Sequence, residues 1–225
     1  MCGRYELHSH PQVIALLLGL SAMPELYARY NIAPTQTGLI VRAGEHGGRE
    51  AALAHWGLIP FWAKDRDIGS RMINARAESL PEKPAFRQAL KKRRCLVPAD
   101  GFYEWQGPAG HKQPWHIGLV DDAPFAMAGL WERWRDPEGA LLDSYTIITT
   151  AANEMVKRLH ERMPAIVSPA DYAAWLDPAN QTAAALLAPF PAEEMRAYPV
   201  SRRVNNVKND DAGCVLPEAN GSVEA

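Results

Sequence analysis

The chain has 225 residues, 47% of them hydrophobic and 22% charged, with a formal net charge of −2. That is the composition of an ordinary soluble globular protein with room for one substantial core, and it excludes disordered and collagen-like chains. Three cysteines without CxxC spacing argue against a disulfide framework or a structural zinc site and suit a reducing cytosol.

From the N-terminus, the first apolar run, residues 13–20, reads as a short helix. It is too short to span a bilayer and no basic stretch precedes it, so no membrane partner is expected. Residues 38–42 and 51–58 read as strands, after which Pro60-Phe61-Trp62 turns. Ile73-Asn74-Ala75-Arg76 is a short segment ahead of a helix over residues 84–90. Strands are expected at 95–97 and 102–105 around an Ala99-Asp100-Gly101 turn, and again at 114–120, 125–131 and 142–149. Further helices are expected at 153–159, 171–176 and 181–187. Strands in consecutive runs, rather than alternating with helices, favour the α+β class. The reading is a single domain over residues 1–216 with a polar, frayed tail at 217–225.

Charge is unevenly spread. Residues 1–120 carry 15 Lys/Arg against 10 Asp/Glu, and residues 121–225 carry 9 against 16. A phosphate-binding groove needs local positive charge rather than a basic pI, and Arg71 with Arg76, Lys157-Arg158 with Arg162, and Arg202-Arg203 supply it. The Lys91-Lys92-Arg93-Arg94 run reads equally as a solvated helix face.

The opening Met1-Cys2-Gly3-Arg4 holds the most reactive candidate. Trimming of Met1 gives Cys2 a free α-amine beside its thiol. Such a 1,2-aminothiol condenses with an aldehyde to an imine, and the thiol then closes a thiazolidine ring. The same thiol could instead attack an amide, with the amine as its base. Glu104, between Tyr103 and Trp105, is either a solvent-facing strand residue or a cleft carboxylate tuned for proton transfer. His160 is either a helix C-terminal cap or a general acid near neutral pH, with Arg162 beside it to pair a phosphate. Asn74 offers a donor and an acceptor, or forms a turn. The Trp56-to-Trp62 segment is either core or a stacking surface. His8 and His10 lack ligand partners at metal spacing, and no glycine-rich phosphate loop, Walker motif or GxSxG elbow is present. No metal or nucleotide cofactor is expected.

Seven segments in this order resemble one family, the SRAP proteins, named for SOS-response-associated peptidases and also called abasic-site processing proteins. They are Met1-Cys2-Gly3-Arg4, Tyr30-Asn31-Ile32-Ala33-Pro34-Thr35, Trp56-Gly57-Leu58-Ile59-Pro60, Ile73-Asn74-Ala75-Arg76-Ala77-Glu78, the run from Arg94 to Trp105, Leu159-His160-Glu161-Arg162-Met163-Pro164, and Val200-Ser201 through Val204-Asn205-Asn206-Val207-Lys208. The resemblance implies a β-rich, barrel-like, mostly antiparallel core flanked by a few short helices. It implies a monomer, cytoplasmic and associated with the nucleoid or replication fork. Its partner is single-stranded DNA containing abasic sites, with single-strand/double-strand junctions a candidate geometry. Cys2 would form a thiazolidine with the ring-opened deoxyribose aldehyde and so crosslink the lesion during the DNA damage response. Asn74 would hold the N-terminus and sugar oxygens, Glu104 would shuttle protons, and His160 would act as acid toward the ring oxygen. Arg4, Arg76 and Arg162 would grip phosphates, while Pro34, Trp56 and Trp105 pack against bases. Asn31 and Thr150 complete the implied DNA-binding set. A side activity as an abasic-site lyase and a self-processing peptidase step that removes Met1 are also implied. The rival is a glutamine amidotransferase, which also opens Met-Cys-Gly; here Arg4 follows where an apolar residue is usual.

Overall fold

The computed structural model describes residues 2–45 and 47–218. Its strands are β1 (Tyr5–Leu7), β2 (Arg29–Ile32), β3 (Thr37–Ala43), β4 (Arg49–Trp56), β5 (Asn74–Arg76), β6 (Arg94–Ala99), β7 (Gly101–Gln106), β8 (Gln113–Leu119), β9 (Phe125–Arg135), β10 (Leu141–Ala151), β11 (Arg162–Pro164), β12 (Ile166–Val167) and β13 (Met195–Pro199). The α-helices are short: α1 (Pro11–Leu18), α2 (Pro84–Lys92), α3 (Glu154–Lys157) and α4 (Tyr172–Leu176). The expected helix at 181–187 is a single 3-10 turn, Ala183–Leu186, and the expected turn at Ala99 is carried mainly by Asp100 between β6 and β7. Pro217 and Glu218, placed in the expected tail, are tied back by a bridge to Val200 and a bond to the Pro199 carbonyl. Residues 219–225 lie outside the described residues.

Two sheets share the core. One runs β13-β8-β7-β1-β2. The other closes on itself, because the β9–β10 hairpin joins the ends of a path β10-β4-β3-β6-β9 and makes a five-stranded barrel. Pairing is antiparallel except where β4 and β5 run parallel to β10. This is the α+β, barrel-like fold expected, and closure removes the unpaired strand edges that an open sheet would present.

Alternation of side chains builds both faces of β7. Phe102 joins Tyr5, Ile117 and Trp56 in the main core, whereas Tyr103 points to the opposite face and packs with Val200, Val204 and Cys214. Each fully enclosed aromatic or branched side chain contributes about 1.5–3 kcal/mol by leaving water. At one place the sheets need a glycine: the Tyr5 and Tyr145 hydroxyls meet at 2.6 Å directly over Gly38, where any Cβ would collide with both. Gly57 is a second such position, with φ +128° and the Gly69 carbonyl 2.6 Å from where a Cβ would sit.

Candidate functional site

Residues 2–4 run into β1 and are stitched to β7 by the Tyr103 amide, which donates to the Arg4 carbonyl at 3.0 Å. This buries Cys2 completely. Asn74, the first residue of β5, donates its Nδ2 to the Cys2 carbonyl at 2.7 Å, while its Oδ1 is buried with no partner. The strand that carries Asn74 is itself fixed. The Ile73 carbonyl just before it accepts from the Trp56 indole at 2.9 Å and from the Ile147 amide at 3.1 Å. Glu104 shares the inward face of Phe102 and is 4% exposed, so the cleft orientation is the one realised. Burial first, and then the Glu104 carboxylate, push the Cys2 thiol well above its ordinary pKa. Cys2, Asn74 and Glu104 are therefore brought together from three separate stretches of chain.

A second group gathers around β10. Asn153 caps α3 by accepting from the Val156 amide at 2.9 Å, and the turn continues to His160, whose amide donates to the Val156 carbonyl. The His160 ring is half-buried, and its Nδ1 accepts from the Arg162 amide at 2.9 Å. Arg162 then enters β11, beside β10. Its guanidinium forms a bidentate pair with Glu78, at 2.7 and 3.0 Å, and also donates to the Thr149 carbonyl. That hydrogen bond holds the Glu78 carboxyl below its ordinary pKa. In the parallel β5–β10 register Arg76 lies opposite Thr149, with its side chain exposed.

The remaining expected DNA contacts divide. Arg4 donates Nη1 to Asn31 Oδ1 at 2.7 Å and to the Val204 carbonyl at 2.8 Å, and its guanidinium lies 5.6 Å from the Trp105 ring. Trp105 is half-buried and donates its indole N–H to Asn205 Oδ1 at 2.7 Å. Pro34 is half-buried in the turn after β2. Three residues of the expected set are buried. Asn31 is fully enclosed and spends its amide on Arg4 and on the carbonyls of Val204, Asn206 and Asn209. Trp56 is core, stacked on Tyr145 at 6.3 Å with Tyr5 edge-on at 5.1 Å. Thr150 is buried within β10. The exposed aromatics of the Trp56 segment are instead Phe61 and Trp62. Sequence reasoning gave no role to Glu78, Thr149 or Asn205. Glu78 and Asn205 stand in motifs but act through partners 84 and 100 residues away, and Thr149 acts through its backbone carbonyl, none of which spacing reveals.

No group of His, Cys, Asp and Glu suited to a metal ion occurs among the described residues, and no helix among them is long and apolar enough to cross a membrane. Fold and site together define a closed β-barrel protein that encloses Cys2 beside Asn74 and Glu104. The chain belongs to the SOS response associated peptidase (SRAP) family, whose model matches residues 1–207. It is 44% identical over 217 residues to the abasic site processing protein YoqW of Bacillus subtilis, an alignment covering 93% of this chain and 96% of that one. It is 34% identical to the abasic site processing protein HMCES of Gallus gallus, covering 84% of this chain and 66% of the relative. A crystal structure of a Bacteroides thetaiotaomicron protein superposes with a TM-score of 0.83 at 29% identity, covering 96% of this chain and all of that one.

Proposed function

We propose that this protein processes abasic sites in DNA by capturing their ring-opened aldehyde on Cys2, forming a thiazolidine crosslink in single-stranded DNA. The names of its relatives support abasic-site processing; the chemistry of capture is argued from the residues. The observation that carries it is the set of groups around Cys2: a donor on its carbonyl from Asn74, an unfilled acceptor on the same amide, and a buried carboxylate beside the thiol.

Removal of Met1 frees the Cys2 α-amine, whose reference pKa of ~7.7–8.0 leaves a useful neutral fraction at neutral pH. The unfilled Asn74 Oδ1 suits an N–H of that amine or a sugar hydroxyl. His160 acts as an imidazolium: it gives a proton to the deoxyribose ring oxygen as the C1′–O bond breaks, and the C1′ hydroxyl loses its own proton to water to become the aldehyde. The amine adds to C1′, water leaves, and an imine forms. The thiol then adds to the same carbon: the S–C bond forms, Glu104 takes the thiol proton, and a proton is returned to the ring nitrogen. The amine attacks first, because the thiol closes the ring on the imine carbon that this attack creates. The imine also acidifies the C2′ hydrogens, so slow β-elimination, a lyase activity, accompanies capture. Arg4, Arg76 and Arg162 bind phosphates and Trp105 and Pro34 receive bases, whereas Asn31, Trp56 and Thr150 support these groups from behind.

Arg4, standing where the amidotransferase pattern has an apolar residue, disfavours the glutamine amidotransferase reading. Intact mass after incubation with a small aldehyde tests the proposal. A thiazolidine adduct on a chain lacking Met1, absent in Cys2→Ala, is expected. No adduct on a Met1-free chain, together with ammonia release from glutamine, overturns it.

A further inference from the structure

The motif from Val204 to Lys208 has no part in the chemistry so far, yet it reaches the site. It forms a strap, continuing to Asp210, that lies across the face of Tyr103 and Trp105. Two reciprocal sets of bonds fasten it to β2. The Asn31 side chain donates to the Val204, Asn206 and Asn209 carbonyls, and the Asp210 carboxylate accepts from the Tyr30 and Asn31 amides and pairs with Arg29. Val204 seals its underside in the small cluster with Tyr103, Val200 and Cys214. Neither set uses the Asn205 side chain. That side chain is exposed and accepts the Trp105 indole N–H at 2.7 Å, while the Val204 carbonyl holds Arg4 at 2.8 Å. Val207 (43% exposed), Asn206 and Lys208 stand open beside it.

An indole attached through a soft χ2 torsion has a broad range of ring orientations. A single acceptor on Nε1 and a guanidinium near the ring remove that freedom before any ligand arrives. We propose that the strap is a positioning element of the DNA site and that Asn205 is its working residue, orienting the Trp105 plane on which a base of the single strand stacks. This rests on the reading that the protein binds single-stranded DNA at this face. The indole is thereby pre-oriented, so ordering it takes little from the stacking energy of the base.

The test is a double-substitution cycle of Asn205→Ala and Trp105→Phe. It is read twice, as equilibrium binding of an undamaged single-stranded oligonucleotide and as crosslinking rate with the same strand carrying one abasic site. Asn205→Ala alone is expected to weaken binding and subsaturating crosslinking about 2- to 12-fold, the effect of one such hydrogen bond. Labelling of Cys2 by propionaldehyde and the melting temperature stay at wild-type values. In the Trp105→Phe background, which has no indole N–H, Asn205→Ala adds nothing. With Trp105 intact, Asn205→Asp, which keeps the acceptor, recovers wild-type binding when both are compared at high salt. A full additional loss in that background, or equal slowing of propionaldehyde labelling, overturns the proposal. So does wild-type affinity and rate in Asn205→Ala when Trp105→Phe itself is impaired. A wild-type protein that neither binds nor crosslinks the strand refutes the functional reading itself, and the inference falls with it.

Discussion

Asn74→Ala separates an anchored N-terminus from one that is merely nearby. The substitution removes the Nδ2 donor, 2.7 Å from the Cys2 carbonyl, together with the unfilled Oδ1 acceptor. A hydrogen bond of this kind is worth about 0.5–1.5 kcal/mol net, and a carbonyl left buried without a donor costs about 1–3 kcal/mol. If the anchor acts when the amine attacks, a loss of about 1–3 kcal/mol slows crosslinking roughly 5- to 150-fold, at about 1.4 kcal/mol per tenfold. The fold should persist, because β5 is held by its backbone pairing to β10 and by the Trp56 indole on the Ile73 carbonyl. The assay is single-turnover crosslinking to an abasic oligonucleotide on a denaturing gel, with Met1 removal checked by mass and folding by melting. An unchanged rate in a folded, Met1-free Asn74→Ala protein would refute the reasoning.

Glu104→Gln should slow ring closure, seen by mass as accumulation of an imine that borohydride traps; closure at wild-type speed would remove Glu104 from the proton path. Glu78→Gln releases Arg162 from its bidentate pair. Because Glu78 is largely exposed, solvent screening limits the gain to about 0.2–1 kcal/mol, so affinity for single-stranded DNA should rise about 1.5- to 5-fold with a steeper salt dependence. Weaker binding would instead mean that Glu78 braces Arg162 for the strand. The same pair fixes the sign of a pH effect. With the folded Glu78 pKa lowered, its stabilisation is complete above the ordinary value of 4.5 and is lost as pH falls below it, which Glu78→Gln should abolish in acid melts. Trp56→Ala should cost about 3–5 kcal/mol of stability, as for any large enclosed aromatic. Intact stability with impaired DNA binding would return Trp56 to the surface role implied by the resemblance.

The longer strands are legible in the sequence because their branched and aromatic residues run for many positions: β9 and β10, with their Asp136-to-Gly139 turn, and β3. Three-residue strands such as β1, β5 and β11 carry too little pattern to be read, yet they hold the site. Barrel closure is equally invisible, since the parallel β4–β10 pairing joins residues some ninety positions apart. Within the site, Cys2 and Glu104 stand out through their chemistry. Asn31 looks like a surface amide because the carbonyls that satisfy it lie more than 170 residues away. Trp56 looks like a stacking platform for the same reason: its partners Tyr5 and Tyr145 are far from it in sequence, on either side.

The most direct measurement is denaturing electrophoresis with intact mass, using the purified protein and a labelled single-stranded oligonucleotide made abasic at one position by uracil excision. The account predicts a slow band whose mass is the protein without Met1, plus the DNA, less one water, lost in Cys2→Ala. A Met1-free protein that leaves a verified aldehyde-bearing strand unmodified, or a band that survives Cys2→Ala, would contradict it.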